Sequence, residues 1–502
     1  MILKDLIEPE TGVTVLSRRS GPTDDAALHV PIAGITADSR QVNTGFIFAA
    51  LSGTQTDGLR YVPAALERGA AAILVASDRD LASDLLEAIS IPVLTASEPR
   101  KALARLAARL LPGRPDVIAA VTGTNGKTSV ATFLRQIWAG LGHKAASMGT
   151  LGVVTPNGPM PLAHTTPDPV RLHQILKALY DTGTTHLVLE ASSHGLAQDR
   201  LEAVEVQAAG FTNLTRDHLD YHGTEEAYKA SKARLFTERL APRGTAVINR
   251  AGAHAAHFEA AAREAGHPIM SVGTGEADLA LRAVEPTARG LDLDMAFGGE
   301  GAQASVPLFG TFQAENVQVA LGLALALGAD FQQAVDQLGA LDGATGRMER
   351  VAETGRGAPI FVDYAHTPDA LARVLGALRP HVRGRLSVVF GCGGDRDRGK
   401  RPQMGAVAAE RADRVIVTDD NPRSEDPAAI RRDILAASEG AVDIGDRAEA
   451  IAAGLEGLER GDVLVVAGKG HETGQIVGDT VLPFNDADVI REIVGGRRRR
   501  HG

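Results

Sequence analysis

Short apolar runs alternate with helical patterns along most of the chain, a pattern that indicates an α/β protein. In the middle of the chain apolar runs alternate with helical patterns, and the runs of the C-terminal region are typical of buried strands. Strands that alternate with helices predict a mostly parallel sheet with helices packed on both sides. The predicted central strands lie at residues 116–121, 186–190, 207–212 and 245–249.

The same alternation occurs before and after this central part. A chain of 502 residues is too long for one hydrophobic core, so we expect about three domains. The pattern divides the chain into residues 1–110, 111–343 and 344–502. The predicted strands of the first region lie at 30–35, 45–51 and 71–75, and those of the last region lie at 360–364, 386–390, 414–418 and 462–467.

A glycine-rich segment joins the first central strand to a predicted helix at 129–141. Residues 121–129 read Val-Thr-Gly-Thr-Asn-Gly-Lys-Thr-Ser. A strand, a glycine-rich turn and a helix start are the context of a phosphate-binding loop. Gly123 and Gly126 allow a tight turn and a close approach to an anion, which the backbone N–H groups and the helix dipole then face.

Two side chains of this segment fit a nucleoside triphosphate. Lys127 can place its charge on the β- and γ-phosphates, and the Thr128 hydroxyl can bind Mg²⁺. The first glycine of the usual G-x-x-x-x-G-K-[ST] pattern is replaced by Val121, so the loop is a shortened variant. The segment predicts binding of ATP or another nucleoside triphosphate.

Further polar residues follow the ends of the predicted central strands. Glu190 and His218 lie there, as does Lys127, and ligands of parallel sheets bind beyond the carboxyl ends of the strands. Glu190, His218 and Asp217 are of the types that bind Mg²⁺ or Mn²⁺. Lys232 lies on a predicted helix, where spacing alone favours a solvated lysine.

Four polar loops follow the predicted strands of the C-terminal region. Functional residues are frequent in loops that a rigid scaffold holds. Loops at one edge of a sheet therefore predict half of an active site. They cover residues 365–369, 391–398, 420–423 and 468–472.

Composition narrows the class of protein. A net charge of −10 argues against a general nucleic-acid binder. Cys392 is the only cysteine, so no disulfide framework is expected and a reducing compartment fits. The N-terminus has no basic region followed by an apolar core, and no apolar stretch is long enough to cross a membrane, so we expect neither a signal peptide nor membrane insertion.

Ser192 raises the alternative of a hydrolase, since it lies in Ser-Ser-His-Gly after a predicted strand. The G-x-S-x-G elbow of a nucleophilic serine is absent, however, because Ala191 and Ser193 flank this serine. A hydrolase is therefore the weaker interpretation.

Ten ordered motifs resemble those of the Mur ligases of peptidoglycan assembly, in particular the UDP-N-acetylmuramoyl-tripeptide synthetase type. The resemblance covers nearly the whole chain. It implies a central P-loop ATPase domain, an N-terminal domain for the uridine nucleotide and a Rossmann-like C-terminal domain for an incoming amino acid. The motifs lie at residues 38–40, 123–128, 165–167, 190–195, 211–222, 346–349, 362–370, 393–396, 420–423 and 468–472.

The resemblance also implies roles for single residues, with Lys232 as a carbamate. ATP would contact Gly123, Thr124, Asn125, Gly126, Lys127, Thr128, Ser129, Asn316, Arg347 and Asp363. The UDP-linked substrate would contact Ser39, Thr54, Gln55, Thr56, Thr165, Thr166, Ser192, Gln198 and Arg200. The amino acid would contact Arg396, Asp420, Asn421, Pro422, Arg423, Gly468 and Glu472. Catalysis would depend on Lys127, Glu190, His218 and Lys232, and Mg²⁺ would be bound by Thr128, Glu190, His218 and carbamylated Lys232.

Three positions depart from the family pattern. Gln313 stands where an asparagine is expected near adenine, and His164 replaces an asparagine before the substrate-binding threonines. The acidic pair expected after Asn249 is absent, since Arg-Ala-Gly follows it.

The loop Asp-Asn-Pro-Arg at 420–423 bears on the identity of the amino acid. Arginine binds carboxylates through two parallel hydrogen bonds. An amino acid whose side chain ends in both an amine and a carboxylate, such as meso-diaminopimelate, would use Arg423 together with Glu472. Family members with this loop resemble diaminopimelate-adding enzymes.

The combined expectation is an ATP-dependent ligase that forms an amide through an acyl phosphate. We expect it to be a cytoplasmic monomer that acts on UDP-N-acetylmuramoyl dipeptide, meso-diaminopimelate and ATP, with no nucleic acid as partner. The alternatives are the same reaction with L-lysine, a related folylpolyglutamate-type ligase, and a nucleotide-binding regulator without activity.

Overall fold

The structure, a computed structural model, describes residues 1–16, 28–53, 56–79, 89–215, 217–287 and 289–500. Its contacts group the chain into two compact units. The first unit comprises residues 1–127, 142–248 and 252–269, and the second comprises 128–141, 249–251 and 270–502. None of the helices in the described part of the chain has the length and apolar character to span a bilayer.

The first unit contains two sheets. The smaller sheet has the strand order β1-β5-β4-β3-β2, parallel except for β1. The larger one runs β12-β11-β6-β10-β7-β8-β9, with parallel pairing from β12 to β7 and antiparallel pairing at β8 and β9. The strands are β1 (Thr14–Val15), β2 (Gly34–Thr36), β3 (Phe46–Ala49), β4 (Ala72–Ala76), β5 (Val93–Ala96), β6 (Val117–Thr122), β7 (Ala145–Gly149), β8 (Gly152–Thr155), β9 (Gly158–Met160), β10 (His186–Glu190), β11 (Val206–Phe211) and β12 (Leu240–Asn249).

The second unit contains an antiparallel group, β14 to β16, a six-stranded sheet and a hairpin. The six-stranded sheet has the order β17-β18-β22-β19-β20-β21 and is parallel except for β17. The strands are β13 (Ile269–Gly273), β14 (Leu279–Thr287), β15 (Gly290–Phe297), β16 (Glu300–Val306), β17 (Glu349–Glu353), β18 (Pro359–Asp363), β19 (Leu386–Phe390), β20 (Arg414–Val417), β21 (Val442–Asp443), β22 (Val463–Ala467), β23 (Gly474–Val477) and β24 (Thr480–Pro483).

Helices connect the parallel strands, as the apolar pattern predicts. They are α1 (Leu3–Leu6), α2 (Val62–Glu67), α3 (Pro99–Leu110), α4 (Lys127–Gly140), α5 (Pro169–Asp181), α6 (Ser193–Ala197), α7 (Leu219–His222), α8 (Glu225–Arg234), α9 (Ala255–Glu264), α10 (Phe312–Ala326), α11 (Phe331–Asp336), α12 (Pro368–Leu378), α13 (Lys400–Arg411), α14 (Pro427–Leu435), α15 (Arg447–Leu455) and α16 (Asp486–Arg500).

Local sequence accounts for the placement of the elements that hold polar residues. β6 and β10 are buried along most of their length, so their apolar runs end where polar side chains begin. The Thr224 hydroxyl accepts a hydrogen bond from the N–H of Ala227 and caps α8, whose first turn carries two glutamates. These caps and runs fix the elements that carry Glu190 and Lys232.

One predicted strand is wrong in its extent. The apolar run at 30–35 forms a strand only from Gly34, as β2. Pro31 has no N–H for a ladder, and the neighbouring backbone pairs with the N-terminal segment instead, through Leu3 N to Val30 O and Ile32 N to Met1 O.

Candidate active site

The phosphate-binding loop lies between β6 and α4, as predicted. Gly123 has a φ of +146°, and a Cβ there would overlap the Thr212 hydroxyl. Only glycine fits this combination of conformation and contact. The shortened motif therefore depends on a close approach between the loop and the segment after β11.

That segment anchors the loop by hydrogen bonds. The N–H of Thr124 donates to the Asn213 carbonyl at 2.8 Å, and the N–H of Asn125 donates to the Asn213 side chain at 3.0 Å. The hydroxyl of Thr124 lies 3.1 Å from that of Tyr228 on α8. Loop, strand end and helix are thus one connected network.

Two lysines donate to the same backbone oxygen in this network. Lys127 Nζ lies 2.9 Å from the Gly123 carbonyl and 2.8 Å from the Thr124 carbonyl. Lys232 Nζ lies 2.7 Å from the Gly123 carbonyl. Two amines that converge on one oxygen would repel each other if both were charged.

Lys232 is buried, with 1% of its surface exposed, so the expectation of a solvated lysine from spacing alone is wrong. Its amine lies 4.6 Å from the ring centroid of Tyr228. Burial, and then the nearby Lys127, hold the pKa of Lys232 well below its usual value, while Asp217 opposes this shift. Burial thus favours the unprotonated form of this amine.

Glu190 ends β10 beside Val121 of β6, so it lies at the strand edge where the phosphate loop begins. Its carboxylate accepts from the Thr150 N–H at 2.9 Å and from the Thr150 hydroxyl at 3.1 Å. A carboxylate held by two donors on one residue has a fixed orientation.

His218 has a left-handed backbone, with a φ of +51°, and its side chain is exposed. Its Nε2 lies 3.5 Å from Asp217, and its ring lies 4.9 Å from His194, centroid to centroid. In the described part of the chain no three His, Cys, Asp or Glu residues form a group that could hold a metal ion. Glu190 and His218 therefore belong to no such group among the described residues.

The residues expected to hold the UDP-linked substrate form a second network in the same unit. The Thr166 hydroxyl contacts the Glu190 carbonyl and the Ser192 hydroxyl, each at 2.9 Å. Arg200 donates to the Thr166 carbonyl at 2.7 Å and to the Gln198 side chain at 2.8 Å. This network links four predicted substrate contacts to the end of β10.

The same geometry bears on the hydrolase alternative. Ser192 caps the short helix α6 by accepting from the Gly195 N–H, and its hydroxyl also pairs with Thr166. These contacts, rather than an imidazole, engage the hydroxyl among the described residues. Among the described residues these contacts are those of a helix cap, so the geometry lends no support to a nucleophilic serine.

A cleft of about 480 Å³ adjoins this network. Arg100, Arg171 and Arg200 line it together with Asp38 and Asp168, so it combines three cations with two carboxylates. Ser39 follows in a short 3-10 helix that Asp38 caps. Thr56 is exposed, Thr165 lies 3.3 Å from Thr150, hydroxyl to hydroxyl, and Thr54 and Gln55 lie outside the described residues.

The remaining predicted ATP contacts lie in the second unit. Asn316 is buried on α10 and donates to the side chain of Gln313 at 2.8 Å. Gln313, which stands in place of the family's asparagine, therefore forms a polar pair with Asn316. Asp363 is buried at the end of β18 and accepts from the N–H groups of Met348 and Ala365. Arg347 lies over the ring of Tyr364, with 4.6 Å between its Cζ and the centroid.

The loops after β20 and β22 carry most of the residues expected to contact the amino acid. A Cβ at Gly468 would overlap the carboxylate of Asp420, which explains the glycine. Asp420 is buried, and this burial raises its pKa. The Asn421 side chain donates to Glu472 at 2.8 Å and accepts from Lys469 at 3.1 Å.

Arg423 follows Asn421 and Pro422 and has a left-handed backbone, with a φ of +52°. The hairpin β23–β24 holds it, since its N–H donates to the Ile476 carbonyl and its carbonyl accepts from the Gly478 N–H. One guanidinium nitrogen donates to the Gly394 and Asn421 carbonyls. A Cβ on Gly393 would lie 2.9 Å from that nitrogen and 3.7 Å from the Arg396 side chain, so the two arginines approach each other there.

Comparison with known proteins finds relatives that match nearly the whole chain. Three family models match: the Mur ligase family catalytic domain at residues 31–110, the Mur ligase middle domain at 121–324 and the Mur ligase glutamate ligase domain at 346–470. A UDP-N-acetylmuramoyl-L-alanyl-D-glutamate--2,6-diaminopimelate ligase from Bradyrhizobium diazoefficiens is 49% identical over 99% of this chain and 100% of its own. The chain belongs to the Mur ligase family. A protein of the same name from Caulobacter vibrioides is 52% identical over 92% of this chain and 96% of its own.

Solved structures that share the fold of this chain have the three-domain architecture of Mur ligases. A 2,6-diaminopimelate ligase structure matches with a TM-score of 0.74 and 35% identity over 99% of both chains. A MurF ligase from Thermotoga maritima in complex with ADP matches with a TM-score of 0.59 and 16% identity, over 96% of this chain and 100% of its own. The second likeness concerns the fold alone.

The sequence interpretation missed several residues of this Mur ligase site. Asn213 anchors the phosphate loop, Thr150 orients Glu190, and Lys469 joins Asn421 to Glu472. Asn213 and Lys469 do follow buried strands, within motifs that the resemblance includes, and this signal could have found them. Thr150 gave no such signal.

The close approach at Gly123 predicts that a larger residue at this position weakens ATP binding. Gly123→Ala should weaken ATP binding about tenfold or more, because the added Cβ displaces the loop from Thr212 and strains a left-handed position. Gly142→Ala is the matched control, since it also has a positive φ but open space around its Cβ. Titration with a fluorescent ATP analogue measures both, and equal affinities for the two variants would contradict the close-approach argument.

Proposed function

We propose that the protein is an ATP-dependent ligase that adds meso-diaminopimelate to UDP-N-acetylmuramoyl-L-alanyl-D-glutamate in peptidoglycan precursor synthesis. The observation that carries this proposal is full-length identity of about 50% to ligases of that name. The phosphate loop, the substrate network and the Asp-Asn-Pro-Arg loop support it residue by residue.

The proposed reaction has two steps. A substrate carboxylate attacks the γ-phosphorus of ATP, and ADP leaves with the bonding electrons to give an acyl phosphate. The amine of diaminopimelate then attacks the acyl carbon, inorganic phosphate leaves, and the nitrogen loses a proton. Phosphorylation supplies the leaving group that a carboxylate lacks at neutral pH.

Residues of the first unit would bind and orient the reactants. Lys127 lies on the phosphate loop, where its charge would offset that of the transferred phosphoryl group. Thr166, Ser192 and Arg200 would hold the peptide arm of the substrate near Glu190. Their mutual hydrogen bonds orient them before substrate binds, which reduces the entropic cost of alignment.

The donor set near Lys127 fits Mg²⁺ if Lys232 is carbamylated. The buried amine of Lys232 would form a carbamate with CO₂, which replaces an ammonium by an oxygen ligand. Glu190, His218, this carbamate and Thr128 would then hold the ion. When bound, Mg²⁺ neutralises negative charge on the phosphates.

The proposal also covers the cellular location and the oligomeric state of the protein. ATP and a nucleotide-linked precursor are intracellular metabolites, and the lone Cys392 is a buried free thiol. Both fit a cytoplasmic enzyme. We also propose a monomer, with small molecules as its partners.

The decisive experiment measures ADP release while each substrate is omitted in turn. The proposed ligase should release ADP steadily only with UDP-N-acetylmuramoyl-L-alanyl-D-glutamate and meso-diaminopimelate both present, and mass spectrometry should show the tripeptide product. ATP turnover that ignores both substrates would refute the ligase. Replacement of the dipeptide substrate by a folate tests the folylpolyglutamate alternative.

The carbamate gives a prediction for Lys232. Lys232→Ala should lose most activity, and acetate should restore part of it by placing a carboxylate in the vacated space. Lys229→Ala, on the same helix but only partly buried, is the control and should keep near-normal turnover without acetate. Initial rates across an acetate series measure the effect. Near-normal turnover in Lys232→Ala would remove the carbamate from the mechanism.

A separate prediction concerns the amino acid. Arg423→Ala should weaken use of meso-diaminopimelate about a hundredfold, because loss of the partner of a carboxylate in a partly buried site costs roughly 2–5 kcal/mol. Arg423→Lys should be similarly impaired, since an ammonium cannot form two parallel bonds. ATP binding should be unchanged in both variants. Arg432→Ala, an exposed arginine of the same unit, is the control.

Direct competition between amino acids decides the assignment for the wild-type enzyme. With meso-diaminopimelate and L-lysine present together, the product should contain diaminopimelate. A preference for L-lysine would refute this substrate while leaving the ligase reaction in place.

A further inference from the structure

Lys469 is a fully buried lysine within the amino-acid site, between Gly468 and Gly470. Its exposed fraction is 0%. A buried ammonium is costly unless acceptors surround it. Its Nζ donates to the Asn421 side chain at 3.1 Å and to Glu472 Oε2 at 3.0 Å, and Asp420 lies 3.9 Å away.

These contacts place the lysine at the junction of two loops. Asn421 belongs to the loop after β20, and Glu472 belongs to the loop after β22. The Asn421 side-chain oxygen also accepts from the Ile476 N–H at 2.9 Å, and its nitrogen donates one hydrogen bond to Glu472. Asn421 therefore links the two loops, and its second N–H is left for a ligand.

The Glu472 carboxylate is held through one of its two oxygens. Both Asn421 and Lys469 donate to its Oε2, at 2.8 and 3.0 Å. Among the described residues, its Oε1 has no hydrogen-bond partner, and a third of the side chain is exposed. One carboxylate oxygen is thus fixed from within the protein, while the other is presented outward.

We infer that Lys469 is a positioning residue for the amino-acid substrate, which holds Glu472 by Oε2 so that Oε1 accepts from the distal ammonium of the substrate. The inference rests on the proposed function and deepens it. Lys469 contacts no reacting atom. Its effect passes through Glu472 and depends on the amine that Glu472 binds.

Charge supports this role. Glu472 and Asp486 act on Asp420 as like charges, and Arg447 and Lys469 act on it as opposite charges. Arg447 is already paired with Asp486, at 2.7 Å. Lys469 is the cation that contacts Glu472 directly, so its removal frees that carboxylate to turn away from Asp420.

The experiment compares two amino acids in two enzymes. 2-Aminopimelate keeps the reacting amine and the distal carboxylate of meso-diaminopimelate but lacks the distal amine. Wild-type enzyme should prefer meso-diaminopimelate in kcat/KM. Lys469→Met should reduce that preference about tenfold or more, the value of a hydrogen bond to a charged group. Its kcat/KM for 2-aminopimelate and its KM for ATP should change by about twofold or less.

Matched variants separate positioning from general damage. Arg432→Met removes an exposed positive charge from the same unit and should leave the preference unchanged. If Lys469→Met yields no folded protein, Lys469→Gln carries the same test, because its amide can still donate to Glu472 and it should lose only part of the preference.

The outcomes separate the proposed function of the enzyme from the proposed role of Lys469. A wild-type enzyme that uses neither amino acid would refute the proposed function. A wild-type enzyme with the expected preference, and a Lys469 variant that loses both amino acids equally or keeps the full preference, would overturn the role of Lys469 alone.

Discussion

The carbonyl oxygen of Gly123 is the point on which the catalytic half of this protein depends. Two amines, from Lys127 and Lys232, reach it from different elements. Two charged amines on one acceptor would repel each other, and burial, followed by this repulsion, lowers the pKa of Lys232. Lys127 begins α4 on the phosphate loop, whereas Lys232 is enclosed on α8 behind Tyr228. The chemistry of the two lysines therefore differs although their atoms lie close together.

This arrangement follows from how the loop is held. The loop lacks the first glycine of the usual motif, and the segment after β11 supports it through Asn213 and Thr212. Tyr228 connects the loop to α8, which also carries Lys232. The phosphate site and the proposed carbamate are consequently parts of one rigid network, so a change in the loop would also move Lys232.

Sequence reasoning predicted most of the fold because buried strands and the helices between them leave a strong periodic signal. The strands β10 and β19 have the predicted limits. It failed where the burial or pairing of a residue depends on tertiary contacts. Lys232 has polar neighbours in sequence, and only the packing of α8 against the phosphate loop buries it. The run at 30–35 is apolar, but its first residues form hydrogen bonds with the N-terminal segment instead of extending β2. No local sequence pattern indicates this pairing.

The charged groups of the proposed amino-acid site are paired differently from those of the phosphate site. Its acidic groups are partly neutralised from within, Glu472 by Lys469 and Asp486 by Arg447. Arg423, in contrast, uses one guanidinium nitrogen for two backbone carbonyls and has no carboxylate partner among the described residues. A ligand that carries only a positive end would gain from Glu472 but would leave Arg423 without a counter-ion in a partly buried position. A zwitterionic end would satisfy both, and for that reason the proposed site is better matched to diaminopimelate than to lysine.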